Sequence, residues 1–258
     1  MNTCAVEVEF LGTGTSTGVP VIGCSCEVCR SSDVRDKRFR SSVVVRTRGV
    51  NFLIDCGPDF RSQMLAASTP HVDALLVTHI HYDHVGGLDD LRVFCGGSDQ
   101  GFPIYARADV LDELKRHMDY CFVDHPYPGV PSFETHVIEE KPFEVFGVEV
   151  VPIPVMHGKR LIVGYRIGDV AYVTDAKTIT KQSIDLLKGV KLLIVNALRH
   201  TSHHSHMNLE EALAVIKDVN PHEAYLTHVS HELGKYAQVE QLLPLGVKLA
   251  YDGLIVDA

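Results

Sequence analysis

The stretch Thr78-His79-Ile80-His81-Tyr82-Asp83-His84 constrains what this chain can fold into more than any other. Three imidazoles and a carboxylate fall within six residues, directly after the apolar run Ala74-Leu75-Leu76-Val77. That run reads as a buried strand. A strand alternates its side chains, so His79 and His81 can point the same way from its end. Asp83 and His84 lie beyond it, on the turn, and can face another direction. Ionisable groups packed this densely beside apolar residues need partners. Two pairs of ligands imply two metal ions. Gly86-Gly87 gives the chain freedom to turn close beside them.

Other clusters follow the same logic. Cys24, Cys26 and Cys29 place three thiols in six residues. Adjacent positions cannot all face a core, so they read as a metal knuckle, one ligand short of a tetrahedral site. His157 closes an apolar strand and precedes Gly158. Asp55 and Asp175 each end a strand, at Asp55-Cys56-Gly57-Pro58 and Thr174-Asp175-Ala176. His200, His203, His204 and His206 crowd the loop before a helix that Asn208 can cap, with Glu210 and Glu211 in its first turn. His228 and His231 follow the strand Ala224 to Thr227. The loop Gly12 to Gly18 is small and polar but lacks the lysine of a phosphate-binding P-loop, and reads as a connecting turn.

The remaining chain alternates strands and helices. Hairpins are expected across Arg48-Gly49-Val50, around Gly147 (143–146 with 148–151) and across Gly168-Asp169. A helix is expected over 233–243, and two closing strands, 247–250 and 254–256, joined by Asp252-Gly253. The run Arg35 to Arg40 reads as solvated surface. The stretch 122–133, with Pro126, Pro128 and Pro131, reads as a loop that can cover the active site or meet a second subunit in a homodimer. Cys121 and His125 lie near each other there without forming a ligand pattern. No linker or internal repeat divides the chain, so residues 1–258 are expected to form a single domain.

Composition narrows the function. The formal net charge of −9 argues against a nucleic-acid-binding face, which needs a basic footprint. It leaves room for a small phosphate ester held by metal ions. No apolar run reaches membrane-span length, and the start lacks the pattern of a secretory signal, so a cytoplasmic protein without a membrane partner is expected. Seven cysteines in such a chain are metal ligands or buried apolar groups before they are disulfides.

The H-x-H-x-D-H pattern resembles that of the metallo-β-lactamase superfamily, and the resemblance extends over nearly the whole chain. It implies an α/β (α+β) fold, a four-layer αββα sandwich with metals at the sheet edges. It assigns His79, His81 and His157 to one metal and Asp83, His84 and His228 to the other. Asp175 would bridge them, and Asp55 would orient the histidines from behind. The nucleophile would be a metal-bridging hydroxide. Three further stretches are similar to the cyclic-phosphate phosphodiesterases of bacterial phosphonate degradation: Leu11-Gly12-Thr13-Gly14 through Val19-Pro20, the cysteine knuckle, and Leu226-Thr227-His228-Val229-Ser230-His231. That resemblance implies hydrolysis of phosphoribosyl 1,2-cyclic phosphate or a 2′,3′-cyclic nucleotide. It makes His206 the residue that contacts phosphate and protonates the leaving group. It makes His231 the fourth ligand of a structural zinc held by Cys24, Cys26 and Cys29. Mixed nitrogen and oxygen ligation suits Zn²⁺ and Mn²⁺ alike in the active site. The alternatives are a lactonase or thioesterase on the same metals, a tRNA 3′-processing nuclease, whose Gly/Pro-rich arm has no counterpart here, and a non-catalytic metal-binding protein. The four-histidine loop favours phosphodiester chemistry, since a cationic imidazole can hold a phosphate oxygen.

Overall fold

A computed structural model describes residues 5–95, 101–123 and 129–258. His125, Pro126 and Pro128 lie outside these. Six strands come first: β1 (Glu7–Gly12), β2 (Ser42–Thr47), β3 (Val50–Ile54), β4 (Ala74–Leu76), β5 (Phe102–Ala106) and β6 (Phe133–Val137). Then come β7 (Phe143–Val145), β8 (Val148–His157), β9 (Arg160–Ile167), β10 (Val170–Val173), β11 (Leu192–Asn196), β12 (Glu223–Thr227), β13 (Val247–Leu249) and β14 (Ile255–Asp257). The helices are α1 (Phe60–Ala66), α2 (Tyr82–Val85), α3 (Ala108–His117), α4 (Lys181–Leu187), α5 (Leu209–Val219) and α6 (Tyr236–Glu240).

Two seven-stranded sheets result, ordered β14-β1-β2-β3-β4-β5-β6 and β13-β12-β11-β10-β9-β8-β7. Each winds alike. β1 to β3 run antiparallel and β3 to β6 parallel. β7 to β10 run antiparallel and β10 to β13 parallel. No sequence repeat marks this doubling; it is a repeat of topology.

The inner faces of the sheets meet through Phe10, Phe52, Tyr165, Tyr172 and Ile194. The outer face of the first sheet packs Leu53, Leu75 and Ile104 against Phe60, Leu111 and Leu114 of α1 and α3. The outer face of the second packs Val173, Leu193 and Leu226 against Leu187, Ala212 and Ile216 of α4 and α5. These are the four layers of an αββα sandwich. Burial of each large apolar side chain is worth about 1.5–3 kcal/mol. α5 starts where the sequence says it should. Asn208 accepts from the Glu211 N–H, and the Glu211 carboxylate accepts from the Asn208 N–H, each at 2.9 Å.

Several expectations change. Among the described residues the loop expected over 122–133 ends one residue early, since Phe133 opens strand β6, which pairs parallel with β5. β8 does not stop at Val151 but runs through Pro152 and Pro154 to His157. β7 pairs only with Val148 to Val150, so at Pro152 and Pro154 one side of β8 is an edge, where proline is tolerated. The helix expected over 233–243 shrinks to α6, because Gly234 takes φ 113° and breaks the chain direction. The two closing strands, joined through Asp252-Gly253, enter different sheets, and β14 lies against β1. The run 35–40 is not simply solvated. Arg38 is buried, donating to Thr13 Oγ1 (2.7 Å) and Ala250 O (2.6 Å), and Asp36 accepts from the Tyr236 N–H. Gly87 is needed for proximity rather than for an unusual φ: a Cβ there would lie 2.1 Å from Gly57 O.

Candidate metal centre

The site residues sit where strands of both sheets end. Asp55 follows β3, and His79 and His81 follow β4. Asp83 and His84 lie in α2, His157 ends β8, Asp175 follows β10 and His228 follows β12. Asp55, Asp175 and His228 all adopt left-handed backbone, with φ of 63°, 59° and 53°. Such residues cost about 1–3 kcal/mol each and cluster where a side chain must be aimed.

The donor atoms of His79, His81, His157 and Asp175 lie within 4.8 Å of one another, and so do those of Asp83, His84, Asp175 and His228. Asp175 belongs to both groups and divides its oxygens between them. Oδ2 is 3.8 Å from His79 Nε2. Oδ1 is 3.4 Å from His84 Nε2 and 3.1 Å from His228 Nδ1. These three ring nitrogens are buried and have no hydrogen-bond partner. Leaving them bare would cost about 1–3 kcal/mol each. Divalent ions answer all three at once, so the residues fit the metals that the donor set implies.

The outward nitrogens are engaged, which leaves a lone pair facing inward. His84 Nδ1–H donates to Asp55 Oδ2 at 2.6 Å. Asp55 also accepts from the Thr78 N–H and Oγ1–H, both at 2.8 Å. Thr78 Oγ1 is 3.0 Å from His79 Nδ1. His157 Nδ1–H faces Asp175 O (2.7 Å) and Ser205 O (3.0 Å). His228 Nε2 is 3.1 Å from Thr15 Oγ1. His81 is exposed and contacts the rings of His79 and His157 edge-on.

Charge fits the same picture. Burial alone would lift the Asp175 carboxyl, but His228, His84 and His206 outweigh it and hold it well below the usual range. Burial pushes the His79 imidazole well down and the His228 imidazole down to about 4. Burial would also lower His84, yet Asp83, Asp175 and Asp55 hold it well above the ordinary value. The carboxylates call for a cation where His84 points.

A cavity of about 480 Å³ opens onto these groups, lined also by Ser16, Lys159, Arg160, His204, Ser205 and His206. His206 Nε2 lies 3.0 Å from Asp175 Oδ2. His200 turns away and bonds Leu233 O through Nε2 at 2.9 Å. The loop Gly12 to Gly18 is more than a connecting turn. Gly14 bridges to Arg40 and Val229, and Thr15 backs His228. Only the loop's hydroxyls hinted at this, since Thr15 and His228 lie 213 positions apart.

The second cluster also assembles. Cys24, Cys26 and Cys29 Sγ lie 3.4, 3.3 and 3.5 Å from His231 Nδ1. A tetrahedral zinc with ordinary Zn–S and Zn–N bonds separates sulfur from nitrogen by about 3.6 Å. The Cys29 N–H and His231 lower the Cys26 thiol to about 6, while burial lifts Cys29 to about 11.

The family model described as "Beta-lactamase superfamily domain" matches residues 50–229. A solved diphosphatase of the PhnP family superposes with a TM-score of 0.90 and 38% identity, covering 98% of this chain and 97% of that one. A protein named octanoyltransferase from Porphyromonas gingivalis is 44% identical over 248 residues, 95% of this chain but 50% of its own length. The chain thus spans half of that relative. A ribonuclease Z of Mycobacterium sp. (strain KMS) is 31% identical over 75% of this chain and 69% of its own length. Among the described residues, no helix is long and apolar enough to cross a membrane. With strand order, four layers and ligand clusters in agreement with the family match, the chain belongs to the β-lactamase superfamily.

Proposed function

We propose that this protein is a metal-dependent hydrolase of small phosphodiesters, with a cyclic phosphate of the phosphoribosyl 1,2-cyclic or nucleoside 2′,3′-cyclic type as substrate. The observation that carries this reading is the carboxylate of Asp175, shared between two donor clusters and touching His206 at the cavity wall. The similarity to a PhnP-family diphosphatase along nearly the whole chain supports it. The name octanoyltransferase belongs to a relative twice as long as the match.

In this reading His79, His81 and His157 would hold one ion, Asp83, His84 and His228 the other, and Asp175 would serve both. Divalent ions held there would supply activation of water near neutral pH and stabilisation of phosphoryl charge. Asp55 and Thr15 keep the ring protons of His84 and His228 on the outer nitrogens. His206, at the cavity wall, gives a proton to the departing oxygen. Cys24, Cys26, Cys29 and His231 would hold a separate structural zinc.

A panel of 2′,3′-cyclic nucleotides, bis(p-nitrophenyl) phosphate, lactones, thioesters and precursor tRNA, with added Zn²⁺ or Mn²⁺, tests the assignment. Hydrolysis of the phosphodiesters is expected. Asp175→Ala should lose at least about 10³-fold in kcat while remaining folded, because the shared ligand goes. Unchanged turnover in that variant would overturn the site.

A further inference from the structure

His203, in the loop between β11 and α5, makes contacts that a solvated loop histidine has no reason to make. Its Nδ1 lies 3.3 Å from the Ser205 backbone N–H, which donates to it. A backbone N–H only donates, so this nitrogen carries a lone pair and the ring's hydrogen sits on Nε2. His206 Nδ1 is 3.1 Å from the same nitrogen. Two lone pairs facing each other at that distance would repel. The hydrogen between them therefore belongs to His206 Nδ1, which donates it to His203, and because Nε2 faces the Asp175 carboxylate at 3.0 Å, a second hydrogen sits there, as on the protonated ring that acts as the acid. Ser205 Oγ closes the triangle, 3.3 Å from His203 Nδ1 and 3.1 Å from His206 Nδ1. Burial first, then His206 and His204, holds the His203 imidazole down at about 4, so at neutral pH it is an uncharged acceptor.

We propose that His203 is a positioning residue: by accepting the Nδ1–H of His206 it orients that ring so that Nε2, the nitrogen beside Asp175, meets the substrate. The proposal deepens the phosphodiesterase reading and rests on His206 being its acid. In the step, the bond from phosphorus to the leaving oxygen breaks as the bond to the incoming hydroxide oxygen forms. Protonated His206 gives its Nε2 hydrogen to the leaving oxygen. The ring is left neutral, its remaining hydrogen still on Nδ1 and held by His203. Water later returns the lost proton. A carboxylate in the place of His203 would orient the ring equally well, but it would also stabilise the imidazolium and weaken it as an acid. A neutral acceptor orients without that cost.

The tautomer can be read directly. In the zinc-loaded protein labelled with ¹⁵N-histidine, where ions would engage the Asp175 oxygens, two-bond ¹H–¹⁵N correlations should show the hydrogen of neutral His206 on Nδ1. His203→Ala should lose that preference, and His203→Asn, whose side-chain oxygen can accept in its place, should keep it. In kinetics, His203→Ala should lower kcat on 2′,3′-cyclic AMP by about 10- to 100-fold, part of the span a general acid contributes, with KM and metal content unchanged. Bis(p-nitrophenyl) phosphate, whose leaving group needs little protonation, should lose less than about threefold, and His203→Asn should restore most of the rate. A parent protein with the hydrogen on His206 Nε2 would overturn the proposal. So would an Ala variant with unchanged tautomer, or equal losses on both substrates that Asn fails to restore. If the parent hydrolysed neither phosphodiester, the reaction proposed above would fall, while the tautomer measurement would still decide what His203 does.

Discussion

At the scale of single residues, side chains with two jobs matter most. Asp175 joins two donor clusters, and Asp55 takes three hydrogen bonds from His84 and Thr78. Glu9, which belongs to neither donor cluster, does comparable work for stability. It is buried in β1, paired with Arg46 Nη1 at 2.6 Å, and accepts from the Ser68 N–H and Oγ–H at 2.7 Å each. Burial would raise its carboxyl, but Arg46 and Ser68 outweigh that and hold it below the ordinary value. A carboxylate depressed in the folded state stabilises the fold above its unfolded pKa, and that contribution is lost as pH falls through the folded pKa. Glu9→Gln should therefore cost about 1–3 kcal/mol at pH 7. Denaturant titrations should find the gap between parent and variant closing below about pH 4. A constant gap across that range would mean that the ionised carboxylate is not what stabilises.

At the scale of elements, the knuckle is the part to test. Residues 24–29 have no regular helix or strand, and their packing is the small cluster of Val19, Val28 and Cys29. A metal there would supply much of the order that packing does not. Cys26→Ser and His231→Ala should each lose one tightly held zinc and melt at a lower temperature, while His79→Ala keeps it. Metal analysis beside calorimetry checks this, and equal zinc content in parent and both variants would refute it. Elements also show what could be read in advance. The strands leading to Asp55, His79, Asp175 and His228 were legible because their apolar runs stop abruptly at an ionisable residue. β6 was not. Only Phe133 and Val137 are apolar in Phe133-Glu134-Thr135-His136-Val137, and Val137 is 62% exposed, so this edge strand has no buried face to announce it. The burial of Arg38 was hidden for a related reason: its partners Thr13 and Ala250 are remote in sequence, and charge alone reads as surface.

At the scale of the whole molecule, the doubled winding divides the candidate centre. Asp55, His79, His81, Asp83 and His84 come from the chain before β7, and His157, Asp175, His206 and His228 from the chain after it. Neither part carries a full set of ligands. Between β6 and β7 the chain runs through Glu139, Glu140 and Lys141, all exposed. Severed there, the molecule becomes two complementary fragments, and the second still lends β14 to the first sheet beside β1. Mixed fragments 1–139 and 140–258 should associate through that strand and the shared core, and Zn²⁺ should tighten the pair by about 3–4 kcal/mol at saturating metal. Sedimentation with and without chelator would measure it, and association indifferent to metal would contradict a centre built across the seam. Such a molecule is closer to a clasp than to a container: the ions that do its chemistry would also be the stitch that holds its two windings shut.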